Sequence, residues 1–347
     1  MKQIKLTDFK IVPLEETARH EDISDEEYFA QYKGYVTASK MHKISPRRNG
    51  SMDNYYNPKQ CDYSDALLQG TVIHGLILEP DDFTLHDKCG RPSNKLGAAI
   101  DNIVKYRAKG LSIAEAIQKG CNDVNYYSSQ LGTRMKKLMT ADNLKYYFLK
   151  KTIPDNEFVV SDKMHDVVTA CISSVSKNRI IQQQLHPTDS FGDALPSFCE
   201  DTFYKDYLVT YQDKLCTTLH VKGKIDNYTV DPEKKILVLN DVKTSSDPLT
   251  NEWMDKGKHF DQLCYQMQMA LYMDALKSIA RKDYGFDDTW RCRTHIWGVG
   301  TRPDYFSRCF VVNDEYMEDG KQVYEQCMKM IAYYEIFGHE EEVEFID

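Results

Sequence analysis

Residues 222–244, KGKIDNYTVDPEKKILVLNDVKT, constrain this chain more than any other stretch. Strand-forming residues fill 219–230, Asp231-Pro232-Glu233-Lys234-Lys235 is a turn cluster, and 236–242 is a short apolar run. The pattern predicts a β-hairpin. A turn symmetric about Glu233 and Lys234 sets Asp226 opposite Asp241. Opposed residues of an antiparallel pair share a face, with Cβ atoms about 4.5–5.5 Å apart. Lys243, two residues beyond Asp241, lies on that face too. Two adjacent carboxylates repel unless a cation sits between them. Oxygen-rich sites suit Mg²⁺ or Mn²⁺. A neighbouring lysine can orient or deprotonate a water, or offset charge on a phosphate. A surface hairpin with scattered charges accounts for the same residues, and the hairpin alone does not separate the two readings. A slip of one residue would send Asp226 and Asp241 to opposite faces.

The rest of the chain narrows the choice. Its 347 residues allow two domains or one large α/β domain. The net charge of −9 argues against a generally basic nucleic-acid-binding protein. It leaves room for a local basic groove beside an acidic metal site. The ten cysteines are dispersed, with no CxxC and no zinc spacing, and read as free thiols in a reducing cytosol. The N-terminus lacks the apolar core of a signal peptide, and no run of about 18 apolar residues exists. A cytoplasmic protein with no membrane span is expected.

Taken in order, residues 1–24 are polar and mixed, and 25–35 suit a short helix. Thr37 or Ser39 can cap a further turn. Residues 45–60 read as a loop, in which Arg47 and Arg48 face either phosphate or solvent. Residues 64–78 carry helical spacing with Ser64 or Asp65 as cap, and Glu79-Pro80 ends the helix. His74 lies inside that apolar segment, where a satisfied core histidine is the commoner outcome. Residues 81–195 are mostly helical, with helices expected over 112–119, 130–151 and 161–185. Lysines at 136, 137, 145, 150 and 151 read as a solvated helix face or a DNA path. Strands return at 197–211, where Glu200 is either an exposed strand residue or a third carboxylate for the hairpin. A strong helix covers 259–279, and its Gln268 and Tyr272, four apart, project from one face. Strands at 290–299 and 306–312 precede a last helix over 316–337, capped by Asn313 or Asp314. The acidic tail EEEVEFID is expected to fray. This order gives an α/β or α+β core sheet flanked by helices.

Several of these pieces, in this order, resemble the PD-(D/E)xK nuclease superfamily. Within it they resemble the phage-type RecE-like exonucleases related to lambda exonuclease, and the YqaJ-type recombinases. Gly70-Thr71-Val72-Ile73-His74-Gly75-Leu76-Ile77-Leu78-Glu79-Pro80 looks like the family's G-T-x-x-H helix. Glu200 looks like the acidic residue on the strand before the metal motif. Gly223-Lys224-Ile225-Asp226 resembles G-x-x-D, Asp241-Val242-Lys243-Thr244 resembles D-x-K-T, and Gln268 to Tyr272 matches Q-x-x-x-Y. Residues 35–41 are similar to the segment that leads into the family domain.

The resemblance implies a single domain over 1–347 with a restriction-endonuclease-like core. A mixed central sheet flanked by helices would be built from about 30–80 and 196–338, with a largely helical insertion at about 85–195. It implies that His74, Asp226, Asp241 and the Val242 carbonyl bind Mg²⁺, with Mn²⁺ as substitute. Lys243 would position or activate the attacking water and Glu200 would assist. Gln268 and Tyr272 would orient Lys243 or contact the DNA backbone. The clustered cysteines of the iron–sulfur relatives are missing, so no cluster is expected. The implied activity is hydrolysis of linear double-stranded DNA, 5′→3′, by a homo-oligomer that works with a single-strand annealing protein. An endonuclease or single-strand enzyme of the same fold, and a non-catalytic recombination partner on that scaffold, are the alternatives.

Overall fold

The computed structural model describes every residue except 1, 32–33, 49, 57–63, 87–89, 93, 128–129, 155, 339–342 and 347. The chain opens with β1 (Lys2–Lys5) and β2 (Phe9–Glu21). Short helices α1 (Asp25–Ala30), α2 (Ala38–Met41) and α3 (Met52–Tyr56) lead to the longer α4 (Asp65–Leu78). After β3 (Thr84–Leu85) come α5 (Asn94–Ala108), α6 (Ile113–Asp123), α7 (Leu131–Leu138) and α8 (Ala141–Thr152), and β4 (Glu157–Phe158) returns to pair with β3. Helices α9 (Asp162–Lys177) and α10 (Arg179–Leu185) precede β5 (Ser197–Tyr211), β6 (Leu215–Asp231) and β7 (Ile236–Ser245). The chain closes with α11 (His259–Gln262), α12 (Tyr265–Tyr284), β8 (Arg291–Gly300), β9 (Ser307–Val312), α13 (Asp314–Phe337) and β10 (Val343–Ile346).

The architecture is mixed α/β. A six-stranded sheet runs in the order β2-β5-β6-β7-β8-β9. All its neighbours are antiparallel except β7 and β8, which run parallel from Ile236 to Ser245. Helices α12 and α13 cover one face, where Ile225, Leu237 and Leu239 meet Met269, Leu276 and Ile331. Helices α4 and α9 cover the other, where Val72 and Ile73 meet Val168, Val242 and Trp297. Burying an aliphatic side chain of that size stabilises by about 1.5–3 kcal/mol, so these stripes hold α4 on the sheet. Helices α5 to α8 share a separate apolar cluster that includes Ile100, Ile117 and Tyr146. Among the described residues, no helix is long and apolar enough to cross a membrane.

The hairpin has the symmetric register, with Asn227 opposite Asn240 and Asp231 opposite Ile236. Helix α4 starts where expected, with the Ser64 side chain accepting from the Leu67 N–H. The helix expected from 25 closes at Ala30 and is locked by a Ser24–Glu27 capping box; residues 32 and 33 lie outside the described residues.

Elsewhere the chain departs from expectation. The N-terminal residues form a long strand, because β2 is a sheet edge and its outer residues stay polar. The tail does not fray at Val343–Ile346, which pair in parallel with β1 across the length of the chain; Glu340, Glu341 and Glu342 lie outside the described residues. Part of the expected loop is helical, as α3, and 57–60 are not described. Three expected helices are broken or joined by an unexpected one. Thr140 caps α8 and splits 130–151. Asn178 caps α10 and holds Ser307, which splits 161–185. Cys264, at φ 58°, separates α11 from α12. Helix α5 was not expected. Of the ten cysteines, Cys61 and Cys89 lie outside the described residues and the other eight are free thiols.

Candidate metal centre

The β6–β7 ladder stops at Asn227 and Asn240, and the next residues are Asp226 and Asp241. There the strands fork. The Val242 N–H donates to the Asp226 carboxylate at 2.7 Å, so a side chain takes over from the backbone ladder. The base of the fork is clamped by side chains: the Asn240 amide donates to Asn227 Oδ1 at 2.7 Å, and both residues are fully buried.

Glu200, opposite the fork on β5, has φ of 52°. A left-handed non-glycine residue costs on the order of 1–2 kcal/mol. It also interrupts the strand's alternation. Phe203 and Tyr207 face α12 on one side of it, and Phe198 reaches the same face on the other. On β6 the same change falls between Ile225 and Tyr228, at Asp226. Both acidic residues thus leave the regular pleat at one point and turn toward the space beneath α4.

That helix supplies His74. Its Nε2–H donates to the Val242 carbonyl at 2.9 Å and lies 3.5 Å from Asp226 Oδ2, while Nδ1 lies 3.7 Å from Glu200. From the opposite face, the Gln268 amide of α12 donates to Asp241 Oδ1 at 3.1 Å. Lys243 Nζ sits 2.6 Å from Asp241 Oδ2 and 5.0 Å from the centre of the Tyr265 ring. Lys224 bridges Glu200 at 3.2 Å and Asp25 at 2.7 Å.

The fork therefore brings together His74, Glu200, Asp226, Asp241, Val242, Lys243 and Gln268. Tyr272 lies behind them on the same helix as Gln268: it is buried, with its ring edge against Phe203 and Gly223, it is hydrogen-bonded to Gln268, and burial together with the Asp241 and Asp226 charges pushes its phenol up. Tyr265, Lys224 and Asn240 were not singled out from sequence. Tyr265 could have been, since it stands three residues before Gln268 on the same helical face. The cleft over these residues has a volume of about 500 Å³.

Charge is tightly coupled here. Burial drives the Asp226 carboxyl well above the carboxylate range, and the Asp241 charge raises it further. Burial alone would lower His74, but Asp226 and Glu200 outweigh it and lift the ring from 6.5 to about 9. The raised value means that the His74 charge stabilises the fold fully below pH 6.5, a contribution lost as pH rises through about 9. Burial also opposes the Lys243 charge, but Asp241 and Asp226 overcome it and hold the ammonium protonated. A buried acidic site of this kind needs positive charge, and here His74 and Lys243 supply it.

The donors suit a divalent cation. Ligating atoms of His74, Glu200 and Asp226 lie within 4.8 Å of one another. Asp241 Oδ2 is buried and makes no hydrogen bond of normal geometry, its close contact being the Lys243 ammonium. Carboxylate oxygens with one imidazole suit Mg²⁺ or Mn²⁺.

No protein-family model matches the chain, and no curated protein matches it. Solved structures similar to it include a "Putative exonuclease" from Eubacterium rectale. The TM-score is 0.48, with 12% identity over 90% of this chain and 85% of that one.

Proposed function

We propose that this chain is a Mg²⁺-dependent deoxyribonuclease that degrades linear double-stranded DNA from its ends, 5′→3′, in phage-type recombination or DNA processing. Mn²⁺ is the substitute metal. The observation that carries the reading is the convergence of His74, Asp226, Asp241 and Lys243 on the β6–β7 fork. A cytoplasmic homo-oligomer working with a single-strand annealing protein belongs to the same reading.

His74, Asp226, Asp241 and the Val242 carbonyl would hold the ion, and Glu200 adds a further carboxylate. When bound, the ion polarises the scissile phosphate and lowers the pKa of its water. Lys243, held protonated, is suited to positioning that water and offsetting phosphoryl charge rather than removing a proton. Gln268 fixes the Asp241 carboxylate through one hydrogen bond from its side-chain amide. Tyr272, hydrogen-bonded to Gln268, would help to orient Lys243 through Asp241.

The test compares linear 5′-phosphorylated duplex DNA with a covalently closed circle of the same sequence in Mg²⁺. The linear form should be degraded and the circle left intact, and a chelator should stop digestion. Cutting of both forms at equal rates would make the chain an endonuclease. Loss of neither form would leave a non-catalytic partner.

A further inference from the structure

The cleft has two unlike walls. One is polar and charged, with His74, Glu200, Lys224 and Lys243. The other is apolar, with Leu67, Phe83 and Phe158. Leu67 is 60% exposed, so this wall is not sealed against the core. Phe83 and Phe158 stack with ring centres 5.1 Å apart and planes 19° from parallel, and both remain half-buried.

Two features of the chain build this pair beside His74. The first is Gly75, where a Cβ would come within 3.1 Å of the Phe158 ring and 3.3 Å of the Phe83 ring. The missing side chain lets both rings settle on α4 one residue from His74. The second is the β3–β4 pairing. The Thr84 N–H donates to the Asn156 carbonyl at 3.1 Å, and the His86 N–H donates to the Phe158 carbonyl at 2.9 Å. His86 Nδ1 and Glu157 Oε1 add a 2.5 Å side-chain contact. Phe158 is therefore fixed against Phe83 although 74 residues of chain, the four helices α5 to α8 among them, separate the two positions.

We infer that the Phe83–Phe158 pair is a stacking surface for one unpaired nucleobase next to the scissile phosphate. This rests on the nuclease reading above. A nucleotide chain presents phosphate and base as its charged and its flat apolar parts, and the two walls divide in the same way. The backbone of an intact duplex offers only phosphate and sugar, and would leave the aromatic wall against water. An unstacked base covers it. The helices between β3 and β4 then serve to carry Phe158 to the cleft. Phe158 also packs on the apolar cluster beneath α4, so leucine is the useful substitution: it keeps the seal and removes the aromatic face.

The test uses the full chain with two single-stranded oligonucleotides in Ca²⁺, one carrying 2-aminopurine at the terminal nucleotide and one abasic there. Stacking of a base on an aromatic side chain contributes roughly 5- to 150-fold in affinity. Wild type should bind the base-bearing end tighter by an amount in that range and quench its fluorescence. Phe158→Leu and Phe83→Leu should each reduce the preference to within about twofold while binding the abasic end as wild type does. Equal wild-type affinity for the two ends, or a full preference retained by both variants, would overturn the stacking surface. If wild type digests linear DNA yet shows no base preference, only this inference fails. If wild type neither binds nor digests DNA, the nuclease reading fails with it.

Discussion

Asp241→Asn should lower Mg²⁺-dependent digestion of linear duplex DNA by about 10³-fold or more, since a metal-stabilised transition state draws several kcal/mol from the site. Asparagine has the size and shape of aspartate and can still meet Gln268, so the fold should survive. What it removes is the charge beside Lys243, 2.6 Å away, and one anionic donor at the fork. The check is a comparison of initial digestion rates at saturating Mg²⁺, with circular dichroism to confirm the fold. Equal rates for wild type and variant would remove Asp241 from the chemistry.

Asp274→Ala should cost about 3 kcal/mol of unfolding free energy, the lower part of the range for stripping one partner from a buried ion pair. The Asp274 carboxylate accepts from Lys205 at 2.8 Å and from the Tyr207 hydroxyl at 2.6 Å. The Lys205 side chain is completely buried, and its remaining contacts are Ser278 at 2.7 Å, the Asp274 carbonyl at 3.3 Å and Glu15 at 3.6 Å. Removing the carboxylate leaves an ammonium inside the interface between β5 and α12 and a phenol without its acceptor. Because α12 carries Gln268, digestion should also slow. Urea unfolding followed by tryptophan fluorescence measures the loss. A change below about 1 kcal/mol, the size expected of an exposed pair, would mean that this network does not hold α12 on the sheet.

Much of this was written in local sequence. The turn cluster at 231–235 pointed to the symmetric register that the hairpin adopts. The helical spacing of apolar residues in α4 and its Ser64 cap were equally plain. The fork was not. Nothing local says that the ladder stops at Asn227, or that Glu200 adopts a left-handed backbone and turns the alternation of β5. The ladder stops where the carboxylate of Asp226 meets the Val242 N–H across the sheet. Edge strands were also hidden, since β2 is polar outward and β10 finds its partner at the other end of the chain. The helix breaks divide into two kinds. Thr140 and Asn178 are ordinary capping residues that periodicity overrode, whereas Cys264 carries no turn signal at all. Phe158 was invisible as a cleft residue because it reaches α4 only by way of the β3–β4 pair.

The nuclease chemistry requires the fork to bind one divalent cation. Calorimetric titration of the metal-free chain with Mn²⁺, at pH 7 and pH 9 and in buffers of different ionisation enthalpy, tests it most directly. His74 must lose its proton to become a ligand, and its raised value of about 9 places that cost in the neutral range. One ion should bind at the fork, with a proton released at pH 7. The affinity should climb by up to roughly tenfold per pH unit before levelling near pH 9, and binding should be at least tenfold weaker in Asp241→Asn. No Mn²⁺ binding by wild type, or binding unchanged in both Asp226→Asn and Asp241→Asn, would contradict it.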